Sequence, residues 1–200
     1  MFQHLKRDSM LHVIVPTLRC NMKCIYCAQL SVPLSKKDYD MDEDVAKAVV
    51  DFIANSKPKN ITIEFQGGEP LVRFDLIQFI IEYIKQRLNL RKGKAVFWVG
   101  DKTVSFRLVS NLTLMDHDIL DYLIDNRVEI NTSLDGPKEL HDKNRILIGG
   151  SSYEKVVYWI EIIKKERMYE FFGAIPTISR LSLNSVSYTH LRAHETEADL

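Results

Sequence analysis

Apolar residues along this chain follow two rhythms, and the switches between them divide it into strands and helices. Leu11 to Pro16 (LHVIVP) is a β-branched run ending in proline, which reads as a buried strand. Residues 28 to 41 are polar and irregular. Beyond them Val45, Ala48, Val49 and Phe52 recur at helical spacing, so a helix capped by Asp42 or Asp44 is predicted to run to about Ala54. Asn60 to Phe65 (NITIEF) is the next strand, and it enters Gly67-Gly68-Glu69-Pro70. Two glycines there permit a tight turn and a close backbone approach to a ligand. Phe74 to Leu88 (FDLIQFIIEYIKQRL) is a strongly apolar helix.

Residues 91 to 94 (RKGK) read as a loop. Ala95 to Val99 and Val104 to Val109 read as strands joined at Gly100-Asp101 in a hairpin, the second leading into Ser110-Asn111. A helix is predicted over 116–126, then a strand from Val128 to Ser133 that ends at Asp135-Gly136-Pro137. A helix over 153–168 and a strand over 171–178 follow. Strand, loop and helix repeated at least four times is the pattern of a parallel α/β fold. The polar motifs all follow strand C-termini, the edge where chemistry sits in a parallel barrel.

Composition narrows the class. At 200 residues and 46% hydrophobic, the chain can bury a substantial core as one domain. Its 27 basic and 27 acidic side chains cancel, so nothing points to a nucleic-acid partner. No apolar run approaches the roughly 18 residues of a membrane span, and MFQHLKRDSM is not a signal peptide. Clustered, unpaired cysteines fit a reducing compartment, and the protein reads as cytoplasmic.

Those cysteines carry the chemistry. Cys20, Cys24 and Cys27 are the only three in the chain and form one C-x3-C-x2-C run. Three thiolates on one short loop suit a single metal centre. A closed zinc site takes four ligands, usually as two separated pairs, although a distant residue such as His12 could complete it. Three unrelated thiols are the plainest alternative. A [4Fe–4S] cube held by three cysteines keeps one iron without a protein ligand, and that iron can take a small molecule.

The spacing resembles the signature of the radical S-adenosylmethionine (SAM) enzymes, whose open iron chelates the amino and carboxylate groups of SAM. Tyr26, the aromatic before the last cysteine, matches that pattern. FQGGEPL at residues 65 to 71 resembles the family's GGEP loop, which contacts the amino group of SAM. TSLDGPKELHDKNR, residues 132 to 145, resembles the fourth-strand motif of the members that modify peptides and proteins, the SPASM and sulfatase-maturase branch. In that motif Ser133 and Arg145 correspond to contacts with the ribose and carboxylate of SAM, chemistry that a hydroxyl and a guanidinium fork suit. The resemblance implies a cluster on Cys20, Cys24 and Cys27. It further implies a SAM site from Tyr26, Gly67, Gly68, Glu69, Ser110, Asn111, Ser133, Asp135 and Arg145. Taken singly, the Gly-Gly turn is an ordinary connection, Asp135-Gly136 a simple turn and Arg145 a solvated charge.

The implied fold is a partial (βα)6 TIM-like barrel ending near its fifth strand, with residues 1 to 185 as an incomplete core. HVIVPTLRCN, ITIEFQGGEPL, SNLTL and TSLDGP further resemble the B-type radical SAM maturase of the His-Xaa-Ser system, over about residues 10 to 180. The hairpin around 95–104 is longer than that likeness implies, and the extra C-terminal cysteines of such maturases have no counterpart here. The implied activity is reductive cleavage of SAM to a 5′-deoxyadenosyl radical that abstracts hydrogen from a ribosomal peptide or protein, such as a His-Xaa-Ser repeat protein. A low-potential electron donor would supply the electron. A sulfatase-maturing enzyme acting on Cys or Ser is the alternative within the class, and a non-catalytic iron–sulfur module the alternative outside it. No general acid or base is implied.

Residues 186 to 196, VSYTHLRAHET, resemble a translated sequencing adaptor, and the periodic pattern stops at Ser182. Residues 186 to 200 are therefore expected to be a non-native tail, although LRAHETEADL contains good helix formers. His190 and His194, at i and i+4, are accordingly not read as metal ligands.

Overall fold

The computed structural model describes residues 9–165 and 172–183. In chain order these form β1 (Ser9–Ile14), β2 (Met22–Cys24), α1 (Glu43–Ala54), β3 (Asn60–Phe65), α2 (Phe74–Leu88), β4 (Arg91–Lys92) and β5 (Phe97–Val99). Then come β6 (Lys102–Ser110), α3 (His117–Asp125), β7 (Val128–Ser133), α4 (Lys138–Asn144), β8 (Arg145–Leu147), α5 (Ser152–Lys165) and β9 (Phe172–Ile175). Strands β1, β3, β6, β7 and β9 pair in that order and run parallel. Parallel neighbours need crossover connections, which α1, α2, α3 and the α4–α5 pair supply. The α/β order predicted from the polarity pattern is present, as five consecutive strands of a partial parallel barrel.

Alternation along the strands separates an oily face from a polar one. Ile61, Ile63 and Phe65 of β3, Val104, Phe106 and Leu108 of β6, and Val128 and Ile130 of β7 are at most 1% exposed. Ile77, Ile80, Ile81 and Ile84 of α2 belong to the same core. Each such side chain contributes about 1.5–3 kcal/mol on burial. The opposite face carries Glu64, Arg107 and Glu129, with Arg107 Nε 2.8 Å from Glu129 Oε2 and Arg107 Nη1 3.7 Å from Glu64 Oε2.

Several elements depart from their sequence pattern. β1 is not a buried strand: among the described residues it pairs with β3 alone, and Met10, Leu11 and Val13 remain 42% to 53% exposed. Asp42, rather than Asp44, caps α1 by accepting the Val45 N–H at 2.7 Å. That helix buries Ala46, Val50 and Ile53, whereas Val45 and Phe52 face outward, Phe52 meeting the His12 ring edge-on. Two stripes of the same period, one residue out of phase, compete there, and the sheet selects between them.

Arg91–Lys92, read as loop, is β4, which pairs antiparallel with β5; β5 in turn pairs antiparallel with the N-terminal half of β6. The hairpin at Gly100-Asp101 thus gains a third strand. α3 is capped by Asp116, which accepts the Ile119 N–H at 2.7 Å. The predicted end of α5 at 166–168 and the whole 186–200 tail, with His190 and His194, lie outside the described residues.

Candidate functional site

The cysteine loop follows β1 and is tied down on three sides. From below, the Gly68 N–H donates to Thr17 O at 3.0 Å and the Glu69 N–H to Arg19 O at 2.8 Å. The glycines are required by this contact rather than by a ligand alone. A Cβ on Gly67 would lie 2.4 Å from Thr17 O, and one on Gly68 would lie 2.3 Å from Arg19 O. Laterally, Arg19 donates through Nε and Nη2 to the two oxygens of Asp40, at 2.7 and 2.6 Å, while Thr17 Oγ1 donates to Asp40 Oδ1. On the third side β2, which contains Cys24, pairs antiparallel with β8, so that Cys24 stands opposite Arg145. Three-residue strands carry no readable period, and sequence reasoning missed this ladder.

Above the loop lies a cavity of about 290 Å3 at the C-terminal edge of the parallel strands. Cys20, Cys24, Cys27 and Tyr26 line it from the loop, and Gly67, Gly68 and Glu69 line it from the turn after β3. Ser110 and Asn111 reach it from the end of β6, Ser133 from the end of β7, and Arg145 from β8. Of the residues predicted for the site, Asp135 alone does not line the cavity. It is wholly buried behind Arg145. Gln66 and Thr177 line it unforeseen. Thr177 lies in no motif, and its one signal is its place just after β9, at the same edge of the parallel sheet as Ser110 at the end of β6 and Ser133 at the end of β7.

Glu69 is an internal brace. Its Oε1 accepts Ser110 Oγ at 2.8 Å and the Leu71 N–H at 3.1 Å, and its Oε2 accepts the Asn111 N–H at 2.8 Å. Burial pushes its carboxyl above the usual range, against those three donors. The thiols differ among themselves. Burial pushes Cys20 up to about 12, the nearby Glu69 charge adding to it despite a hydrogen bond from Met22 N–H. Cys24 is also raised by burial, which outweighs the Arg145 charge. Burial acts upward on Cys27 too, but donors at Ser31, Gln29 and Leu30 outweigh it and lower the thiol. Bound iron would supply the positive charge that buried thiolates need.

Behind the cavity wall Asp135 gathers its neighbours. Its Oδ1 accepts the Thr177 N–H at 3.1 Å, and its Oδ2 accepts the Tyr26 hydroxyl. Arg145 Nε stands 3.1 Å from that same Oδ2, and the guanidinium lies 5.3 Å from the centre of the Tyr26 ring. Among the described residues no three His, Cys, Asp or Glu side chains stand close enough to share one ion. His12, the possible fourth ligand, packs on Phe52 and is not on the cavity. A four-iron cube takes each thiolate on a separate iron, so three cysteines of this chain could hold three of its irons.

The family profile described as the radical SAM superfamily matches residues 14–185. The chain belongs to the radical SAM superfamily. Enzymes of this superfamily use a [4Fe–4S] cluster and SAM, and a three-thiol cavity with polar walls fits that pair. The cysteine-type anaerobic sulfatase-maturating enzyme of Clostridium perfringens (strain 13 / Type A) is 29% identical over 154 residues, 74% of this chain and 39% of that enzyme. The radical SAM cyclopropyl synthase TigE of Paramaledivibacter caminithermalis is 23% identical over 175 residues, 81% of this chain and 34% of TigE. The solved structure of native anSMEcpe with bound AdoMet and Cp18Cys peptide shares the fold, with a TM-score of 0.73 at 24% identity over 94% of this chain and 47% of that one. The radical SAM chain thus spans less than half the length of these relatives. None of its described helices is long and apolar enough to cross a membrane.

Proposed function

We propose that this chain is core machinery of a radical SAM enzyme that modifies a ribosomally made peptide or protein. The observation that supports this most is convergence: the cysteine loop, the GGEP turn and the ends of β6, β7 and β8 open onto one cavity. In this reading Cys20, Cys24 and Cys27 hold three irons of a [4Fe–4S] cluster. Tyr26, Gly67, Gly68, Ser110, Asn111, Ser133 and Arg145 form the walls around SAM, Arg145 offering its charge to a carboxylate and Ser133 its hydroxyl to a ribose. Glu69 holds those walls in register. When bound, the cluster and SAM supply radical chemistry on an unactivated C–H bond, and the protein orients them and excludes water.

A peptide substrate is supported by the relatives, which include sulfatase-maturating enzymes and a solved structure holding a peptide beside AdoMet. A His-Xaa-Ser repeat protein is the specific candidate, on the resemblance of TSLDGPKELHDKNR and its companion runs. Oxidation of a sulfatase-type Cys is the second reading, favoured by the cysteine-type relative. A low-potential donor provides the electron in either case, and the setting is cytoplasmic. The test is anaerobic reconstitution with iron and sulfide, then SAM, a strong reductant and each peptide, followed by mass spectrometry. A mass change on the repeat peptide alone supports the first reading, and one on the sulfatase peptide alone the second. Cluster assembly and SAM cleavage with no change in any peptide would remove the peptide substrate. Stoichiometric zinc without sulfide would remove the iron–sulfur assignment itself.

A further inference from the structure

Asp135 was expected to face the cofactor and does not, yet the residues it holds do. Its side chain is wholly buried, and both oxygens are committed to protein groups. One takes the Thr177 N–H; the other takes the Tyr26 hydroxyl, with Asn144 Nδ2 at 3.4 Å, and faces the buried Arg145 Nε at 3.1 Å as an ion pair rather than as an aligned hydrogen bond. Tyr26, Arg145 and Thr177 all line the cavity, and Arg145 also reaches Thr177 Oγ1 at 3.4 Å. Three walls supplied by the cysteine loop, by β8 and by the chain after β9 therefore share one buried anchor. The anchor is itself fixed, because its own N–H donates to Nδ1 of the buried His141 at 3.3 Å.

We propose that Asp135 is a positioning residue: it sets the Tyr26 ring and the Arg145 guanidinium for a carboxylate-bearing nucleoside ligand without touching that ligand. The reason is entropic as well as electrostatic. An arginine side chain is long and rotamer-rich, and a guanidinium fork recognises a carboxylate through geometry as much as through charge. Fixing it before the ligand arrives removes that ordering from the cost of binding. The inference rests on reading the cavity as a SAM site, and the following experiment separates the two.

Two readouts are taken on the reconstituted chain. The first is solvent exchange of the Arg145 Nε–H by nitrogen-15 NMR without SAM, the signal being assigned by its loss in Arg145→Lys. The second is SAM affinity, referenced to iron content. In the parent chain the Arg145 signal is protected; in Asp135→Asn protection is lost and SAM affinity falls at least tenfold. The double variant Asp135→Asn/Arg145→Lys binds no more weakly than the poorer single variant, because both changes break one unit. Retained protection with affinity within twofold of the parent, or fully additive losses, would overturn the proposal. An aspartate with a merely structural role would lower the melting temperature and leave the affinity of the folded fraction unchanged. If the parent binds no SAM but Asp135→Asn still frees Arg145, the SAM reading fails and the positioning of Arg145 stands. Should Asp135→Asn not fold, Tyr26→Phe keeps the ring and removes one donor to the anchor. It is expected to lower affinity several-fold and speed the Arg145 exchange, and no change in either would equally defeat the idea.

Discussion

Arg145 and His141 lie four residues apart, both buried, one holding its charge against Asp135 and the other kept neutral. Burial lowers His141 to about 4; the charges of Asp135 and Asp142 pull it up and that of Arg145 pushes it down, while the Tyr153 ring faces it edge-on. A histidine depressed in the fold is protonated first in the unfolded chain. Its contribution is therefore complete above about pH 6.5 and is lost as pH falls from there to about 4, in total about 3 kcal/mol. His141→Asn keeps an acceptor for the Asp135 N–H and should flatten stability across that interval in urea titrations at stepped pH. A slope as steep as the parent's would exclude His141 as its source. If Arg145 meets the SAM carboxylate as proposed, Arg145→Ala removes a charge-assisted bond and should weaken SAM binding by about 1.5–3 kcal/mol, read by calorimetry on cluster-loaded protein.

Among elements, the two faces of the helices give the sharpest contrast. Ile80 is fully buried on α2, and Ile80→Ala should cost about 2–5 kcal/mol in chemical denaturation. Phe52, the larger residue, is 71% exposed on α1, and Phe52→Ala should stay within about 0.5 kcal/mol. The pattern that places these helices is legible in the sequence, but period alone does not say which of two overlapping stripes on α1 meets the sheet. The parallel sheet was legible for a different reason: each motif follows a β-branched run, and the helical patterns between the runs are the long crossovers that parallel neighbours need. The ties of the cysteine loop were not legible. Asp40 reaches Arg19 across 21 positions, and β2 and β8 are three residues each. Asp135 reads in sequence like any polar residue at a strand end, and only burial tells an anchor from a ligand contact. The GGEP turn was found, with half of its reason. Gly68→Ala must displace Leu18 and Arg19 carbonyls 2.4 and 2.3 Å from the new methyl, so retained iron should drop sharply on reconstitution. Full iron content in that variant would show the loop to be tolerant of the shift.

At the scale of the whole molecule, one strand edge collects every segment that faces the cavity, and those segments are far apart in the chain. Tyr26 and Asp135 are separated by 109 positions, and Thr177 lies further still. Translation adds residues at about 5–20 per second, so roughly 5 to 20 s pass between synthesis of the thiols and synthesis of the partners that hold them. During that interval the triplet is nascent chain, with neither β8 nor Asp135 to shape it. Iron loading is thus expected to be a late, post-assembly event. Ribosome-bound chains stalled before residue 130 should retain no sulfide after anaerobic reconstitution, whereas chains with residues through 177 clear of the exit tunnel should retain it. Retention by the shorter chains would mean that the loop and the segments before residue 130 suffice to build the centre without β8 or Asp135.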